Sequence, residues 1–336
     1  MFMLLKRGLF LGLLAFALAG CNTIVMNPAG DIASQQADLI VLATVLMLLI
    51  IVPVIFLTLF FAWKYRQANN AEYDPEWDHS TKLELVIWGA PLLIIIVLGL
   101  VTWVSTHKLD PYRPLDRIAP GKPLAADHKP LIVQAVALDW KWLFIYPEQG
   151  IATVNELVTP VDVPVRFKIS ASTVMNAFYV PPLAGMIYAM PGMETTLNAV
   201  INEEGEWKGF SANYSGAGFS HMRFDYRGVS QAGFEQWVAQ VKASAEDLDR
   251  AEYVELEKPT IKHPLVRYGA VEQNLFHAIV NRCVVEGTEC MDHQMMADSI
   301  RNGSSLSAEE ISLLINEAMC TIAPNDDALP LVTSAK

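Results

Sequence analysis

Two long apolar runs in the N-terminal third dominate the hydrophobic pattern of the chain. Residues 39–63 and residues 85–104 are almost wholly apolar, and each run contains one proline, Pro53 or Pro91. At 1.5 Å per residue, either run is long enough as a helix to cross a hydrocarbon core about 30 Å thick. Proline is tolerated in such helices because neighbouring helices satisfy the freed carbonyl. The pattern therefore predicts two transmembrane helices rather than buried helices of a soluble core.

A third apolar stretch, residues 8–18, is shorter and lies at the N-terminal end. Lys6 and Arg7 precede it, and Ala-Gly and then Cys21 follow it. A short apolar core between positive charge and small residues is typical of a signal peptide. The Leu-Ala-Gly-Cys ending resembles a bacterial lipobox, which predicts cleavage of residues 1–20 and acylation of Cys21, with palmitate among the expected groups. An ordinary signal peptide followed by a chance cysteine is the alternative.

The predicted anchor sets the orientation of the membrane hairpin, residues 21–106. Basic residues flank both sides of the second apolar run, so the charge bias across the membrane is weak. An exported, lipid-bearing N-terminus decides the matter instead. The chain would enter the membrane at residue 39, turn in the cytoplasm and return by residue 104. We therefore predict a multi-pass lipoprotein of the bacterial inner membrane, with the N-terminus and the C-terminal domain in the periplasm.

The pattern after the second run changes from β-type to helical. Residues 107–230 contain short β-type runs separated by Pro, Gly and Asn, which favours a β-sandwich or barrel. In residues 231–336, helical periodicity places Phe234 and Trp237 on one face, and Ser-Ala-Glu-Glu at 307–310 is a capping box. The sequence thus predicts a membrane-anchored α+β protein with a helical C-terminal extension. The predicted strands are residues 131–137, 140–146, 165–169, 177–180, 195–201 and 222–226.

Composition agrees with a membrane protein and narrows the choice of partner. Of 336 residues, 52% are hydrophobic and only 18% are charged. The formal net charge is −12, whereas a nucleic-acid-binding protein presents a basic face. We therefore expect no nucleic-acid partner.

Several segments resemble one known family. Residues 139–156 read DWKWLFIYPEQGIATVNE, residues 61–66 read FAWKYR and residues 188–193 read YAMPGM. Together with residues 211–222 and the order of two helices before a β domain, they resemble subunit II of the heme–copper oxidases, and within it the cytochrome bo type of ubiquinol oxidase. The resemblance implies a cupredoxin-like sandwich for the β domain. It becomes weak beyond about residue 258, so it does not cover the end of the chain.

The resemblance also indicates which residues are missing. In the cytochrome c oxidase branch, the β domain holds a dinuclear copper centre on two cysteines, two histidines, a methionine and a backbone carbonyl. Copper prefers such thiolate and imidazole ligands, but this chain has no cysteine between Cys21 and Cys283. His221 is shifted by two residues from a ligand position and does not rebuild the site. The residues at the positions of the lost copper ligands are Asn176, Ser211, Asn213, Ser215, Phe219 and Met222.

A subunit without this centre is expected to serve a quinol oxidase. The resemblance implies a proton-pumping enzyme that transfers electrons from ubiquinol to oxygen, with two hemes and one copper in subunit I and no cofactor or catalytic residue in this chain. Its partners would be subunits I, III and IV, membrane lipid and the ubiquinol pool. The alternatives are a cytochrome c oxidase subunit II with an unrecognised electron-entry site and a non-enzymatic envelope lipoprotein. The sequence leaves the choice between ubiquinol and menaquinol open.

Two further features of the chain have a structural and a functional interpretation. In the copper-bearing relatives, an aromatic residue in the region of Trp140 and Trp142 helps electrons enter from cytochrome c. Without copper we expect both rings to pack against the sandwich or against subunit I instead. Glu84 lies at the predicted cytoplasmic start of the second helix. It is either a carboxylate favoured by the helix dipole or, as the resemblance implies, part of the entrance to a proton channel of subunit I.

The extension contains three cysteines, Cys283, Cys290 and Cys320. On one unbroken helix the first two would lie about 10.5 Å apart, which is too far for a disulfide. Gly287 is expected to break that helix, so a Cys283–Cys290 bond and a bond of either residue with Cys320 all stay open. A copper-collecting site is the alternative to a disulfide with helix packing, and it would use Cys290, Met291, His293, Met295 and Met296.

Overall fold

The structure is a computed structural model that describes residues 23–69, 76, 78–125, 128–301, 307 and 310. The predicted signal peptide lies outside the described residues. Both predicted membrane helices are present, as α1 (Asp31–Lys64) and α2 (Thr81–Lys108). The mean hydropathy of their most apolar windows is 3.2 and 2.6, and their apolar side chains are largely exposed, as for helices that meet lipid or partner helices.

Both helices extend beyond the apolar runs that predicted them. Helix α1 starts eight residues before residue 39, and its first turns bury Ala33 and Ala37. The apolar run could not predict these first turns of α1, because they are stabilised by contact with the domain that follows α2. That outer domain comprises the described residues from 109 to 301.

Fifteen short strands build the outer domain. Their bounds are β1 (Arg117–Ala119), β2 (Lys122–Pro123), β3 (Leu131–Leu138), β4 (Lys141–Tyr146), β5 (Ile151–Val154), β6 (Glu156–Pro160), β7 (Val165–Ala171), β8 (Asn176–Tyr179), β9 (Ile187–Ala189), β10 (Thr195–Ala199), β11 (Gly205–Ser211), β12 (Arg223–Val229), β13 (Asp247–Leu248), β14 (Val266–Tyr268) and β15 (Ala270–Val271). A six-stranded sheet has the order β10-β7-β3-β4-β5-β14, and a five-stranded sheet has the order β6-β12-β11-β8-β9. The predicted β-sandwich is thereby confirmed.

Aromatic side chains fill the space between the two sheets. Trp142 and Phe144 from β4 meet Phe178 from β8 and Phe224 from β12, with ring centroids 4.9–6.4 Å apart. All four side chains are almost fully buried. Edge-to-face aromatic contacts of this kind contribute about 1 kcal/mol each beyond the area they bury.

Nine of the fifteen strands were absent from the sequence prediction, and the predicted strands at 140–146 and 222–226 began one residue before β4 and β12. The nine are β1, β2, β5, β6, β9, β11, β13, β14 and β15. All of them except β11 have five residues or fewer, and β11 carries two glycines and two charged residues. It forms because β12 pairs along it from Gly205 to Phe210, and such pairing outweighs local propensity. Strand β4 starts at Lys141 rather than Trp140, because Trp140 has a φ of 65° and leaves the extended conformation.

The C-terminal extension contains helices and also strands. Its helices are α3 (Gln231–Lys242), α4 (Arg250–Glu257), α5 (Leu275–Val280) and α6 (Met291–Arg301). Strand β14 pairs antiparallel with β5, so the extension adds an edge strand to the six-stranded sheet. The predicted boundary at residue 230 thus separates two parts of the sequence that share one sheet.

A long-range hydrogen bond ties the extension to β4, and a capping motif forms within the extension itself. The buried amine of Lys141 donates to the carbonyl oxygen of Lys258 at 2.7 Å. Further along, the amide of Glu310 donates to Ser307 Oγ at 3.2 Å and the amide of Ser307 donates to Glu310 Oε2 at 2.7 Å. The predicted capping box is therefore formed, while the residues that it would cap lie outside the described part of the chain.

Candidate functional site

Strand pairing gathers most of the predicted ligand positions at one end of the sandwich. Asn176 starts β8 and Ser211 ends β11, and these strands are neighbours in the five-stranded sheet. The Ser211 hydroxyl donates to Asn176 Oδ1 at 3.0 Å and accepts from the amide of Ala177 at 3.3 Å. Asn176 and Ser211 are 1% and 2% exposed. Two polar side chains that are buried side by side thus satisfy one another.

The loop between β11 and β12 completes this cluster. The Asn213 side-chain amide donates to the carbonyl oxygen of Met175 at 2.9 Å, and Ser215 Oγ lies 4.0 Å from the sulfur of the fully buried Met222. The ring of Phe219 packs on Tyr214 with 5.6 Å between centroids. The loop is therefore held by hydrogen bonds and ring contacts within the protein.

Trp140 and Trp142 both pack within the outer domain, as expected. Trp142 is fully buried among the core aromatic residues. The indole of Trp140 lies over the loop, where its N–H donates to the carbonyl oxygen of Ser215 at 3.0 Å. A Cβ atom on Gly218 would come within 2.3 Å of that ring, so the loop needs glycine here.

The donor set of this cluster does not fit a dinuclear copper centre. Its side chains offer amide oxygens, two hydroxyls and one thioether, whereas bridging two copper ions requires thiolates. His221 is exposed at the surface of the loop rather than turned into the cluster. Within the described ranges, three or more His, Cys, Asp or Glu residues do not come close enough together to hold a metal ion.

Glu84 lies far from this cluster, at the other end of α2. It occupies the first turn of that helix, where the dipole favours a carboxylate. Its Oε1 is 2.7 Å from Nδ1 of His79, and the two side chains are 48% and 61% exposed.

The structure contains one of the disulfide pairings that the sequence left undecided. Cys283 and Cys290 are bonded, with 4.8 Å between their Cα atoms. Gly287 adopts a φ of +82° and turns the chain between them. This bond removes the Cys290 thiol from the alternative copper-collecting cluster. Cys21, the predicted lipidation site, and Cys320 lie outside the described residues.

Two buried carboxylates, Glu156 and Asp31, form ion pairs that the sequence did not predict. The carboxylate of Glu156 bridges Arg227 and Arg267, with oxygen–nitrogen distances of 2.5–2.8 Å. Burial by itself would raise the pKa of Glu156, but the hydrogen bonds and charges of the two arginines outweigh it and hold the pKa below its usual range. At the membrane side, Arg117 donates two hydrogen bonds to Asp31, at 2.9 and 3.0 Å. The sequence predicted no strand at β6, so the buried position of Glu156 had no local signal.

Comparison with known proteins gives the family. Residues 147–229 match the model described as the periplasmic domain of cytochrome c oxidase subunit II, and residues 242–287 match the COX aromatic-rich motif. The cytochrome bo(3) ubiquinol oxidase subunit 2 of Pseudomonas putida is 52% identical over 81% of this chain and 84% of its own length. The ubiquinol oxidase subunit 2 of Acetobacter aceti is 49% identical over 79% and 84%, respectively, and the quinol oxidase subunit 2 of Bacillus cereus is 38% identical over 75% and 84%. From this identity over most of the chain, it follows that the protein belongs to the ubiquinol oxidase subunit 2 family of the heme–copper oxidases.

Proposed function

We propose that this chain is subunit II of a proton-pumping oxidase that takes electrons from ubiquinol and reduces oxygen to water, and that no electron passes through its own side chains. The observation that carries the proposal is the hydrogen bond between Asn176 and Ser211 at two lost ligand positions. Side chains that satisfy each other, with the Met222 thioether as the one soft group among them and no thiolate, cannot bridge two copper ions, so electrons have no acceptor in the sandwich. Hemes and copper then belong to subunit I, and this chain supports that subunit.

The proposed setting is the bacterial inner membrane. Cys21 would carry the lipid anchor, α1 and α2 would cross the membrane, and the outer domain would cover subunit I on the periplasmic side, with subunits III and IV completing the complex. Two apolar helices followed by a periplasmic-type domain support this arrangement. The choice of ubiquinol rests on the names of the relatives from Pseudomonas putida and Acetobacter aceti.

Oxygen consumption by the complex, purified through a tag on this subunit, tests the proposal. Ubiquinol is expected to support turnover, and reduced cytochrome c is not. Copper analysis of the same sample should give one copper for every two hemes. Turnover with cytochrome c would reveal an electron-entry site in this chain, and a sample without hemes would indicate an envelope lipoprotein instead.

We further propose that Glu84 collects cytoplasmic protons at the entrance of a channel in subunit I. The exposed His79–Glu84 pair at the start of α2 supports this role. Glu84→Ala should slow oxygen turnover several-fold because protons must then enter without this carboxylate, while heme content stays unchanged. Asp78→Ala, which removes an exposed carboxylate six residues earlier, should leave turnover near the wild-type rate. Equal rates for wild type and Glu84→Ala would remove Glu84 from the proton path.

A further inference from the structure

A small cavity with both charged and apolar walls lies where the membrane helices meet the outer domain. Its walls come from the first turn of α1, the end of α2, the segment from residue 109 to 117, and Asn198 of β10, and its volume is about 100 Å³. The Asn198 side chain donates to the carbonyl oxygens of Pro111 and Tyr112, both at 3.2 Å. Together with the Asp31–Arg117 pair, these bonds give the cavity a fixed shape.

A second cavity continues the first one towards the membrane. It has a volume of about 230 Å³ and lies between α1 and α2, with Leu39, Leu42 and Val101 on its walls. Both cavities share Gln35, Lys108 and Leu109. A single groove therefore runs from polar surroundings at the domain junction into the apolar part of the hairpin, which is the shape that an amphiphile requires.

The charges along this groove indicate the kind of headgroup. Arg117 is bound to Asp31, and Arg113 lies 3.3 Å from Asp116. Lys108 and Asp38 line the same groove, yet neither side chain forms an ion pair with any residue that the structure describes. A cation and an anion that face one groove without contact leave room for a ligand carrying both charges.

We propose that this groove binds one phosphatidylethanolamine molecule. Its phosphate would lie against the amine of Lys108, its ammonium group against the carboxylate of Asp38, and its acyl chains along Leu42 and Val101. Phosphate is a strong acceptor for a lysine amine, and burial of the acyl chains against apolar side chains adds to the binding. A quinol headgroup is neutral and would leave both charges unpaired. The inference rests on the membrane placement given under the proposed function.

Lipid analysis of the purified complex tests this binding site. Wild type, Lys108→Gln, Asp38→Asn and Lys242→Gln would be purified in a mild detergent, and bound phosphatidylethanolamine and quinone would be counted per complex by mass spectrometry. Lys242→Gln is the matched control, because Lys242 is also an exposed lysine at the last position of a helix. Heme content per complex reports whether each variant assembles.

We expect Lys108→Gln and Asp38→Asn to lose one phosphatidylethanolamine per complex and Lys242→Gln to retain the wild-type number. Equal lipid counts in all four proteins would overturn the inference. A loss of bound quinone with an unchanged lipid count would also overturn it, since the groove would then be a quinol site. The lipid count does not depend on turnover, so a wild-type complex that fails to oxidise ubiquinol would contradict the proposed function alone.

Discussion

Individual side chains hold the loop between β11 and β12. The Trp140 indole covers the loop through one hydrogen bond to Ser215 and through contact with Gly218. Gly218→Ala should push the ring away and destabilise the loop by about 1–3 kcal/mol, as overpacking does. Faster amide exchange of residues 213–221 in the purified complex would report this change. The exposed neighbour Ala217 provides the control, because Ala217→Ser should leave exchange as in wild type.

The Glu156 carboxylate makes the stability of the outer domain dependent on pH. Its pKa in the folded protein lies below 4.5, the usual value, so its ionised form stabilises the fold above that value. This stabilisation is lost as the pH falls through the depressed pKa, because the folded state must then take up a proton. Acidification below about pH 4.5 should therefore loosen β6 and β14.

Replacing Glu156 tests this assignment directly. Glu156→Gln leaves two partly buried arginines without a counter-charge, and it should cost about 2 kcal/mol at neutral pH, a value reduced for the one-third exposure of both arginines. The acid-induced increase in amide exchange of β6 and β14 should shrink in this variant. Glu206→Gln, an exposed change on the same sheet, should retain it. If both variants respond to acid as the wild type does, other carboxylates cause the loosening.

At the scale of elements, the turn between α5 and α6 depends on the disulfide. The bond between Cys283 and Cys290 closes a short loop with a sequence separation of 7, and chain-entropy arguments give about 2.5 kcal/mol for such a loop. Replacing both cysteines by serine should therefore expose this turn to proteases at lower denaturant concentrations. Cys320→Ser is the control and should change nothing if Cys283 and Cys290 bond to each other. Equal cleavage of the double variant and the wild type would rule out a stabilising role.

Elements also differ in how well their own sequence predicts them. The membrane helices and strands β3, β4 and β7 are long, apolar and periodic, and their existence follows from local pattern. Strand β11 does not, since its glycines and charges disfavour a strand and only pairing with β12 makes it one. Strand β14 comes from a region with helical texture and becomes a strand because the edge of β5 is free to pair with it.

At the scale of the whole molecule, one buried ion pair ties the hairpin to the outer domain. Asp31 belongs to α1, Arg117 belongs to β1, and the aspartate side chain is 2% exposed. Asp31→Asn should weaken the junction by about 2–3 kcal/mol because Arg117 loses its counter-charge. Faster proteolysis and amide exchange of residues 109–117 would reveal this. Asp116→Asn breaks an exposed pair with Arg113, which contributes at most about 1 kcal/mol, and should have little effect.

The sequence by itself determined the two apolar spans, the presence of a β-sandwich and the residue types at the positions that the resemblance assigns to copper ligands. These features depend on local hydrophobic pattern and on residue type, both of which are visible without a fold. Serine stands at positions 211 and 215 in every conformation, so the absence of a thiolate at these two positions needed no structure.

Only the tertiary structure decided which distant residues meet. It paired Cys283 with Cys290, placed Arg227 and Arg267 on Glu156, joined β14 to β5, and brought Lys108 and Asp38 to one groove. Each of these contacts depends on how strands pair and how the domain sits on the helices. Such long-range geometry is set by burial and hydrogen bonding over the whole chain, and no local period encodes it.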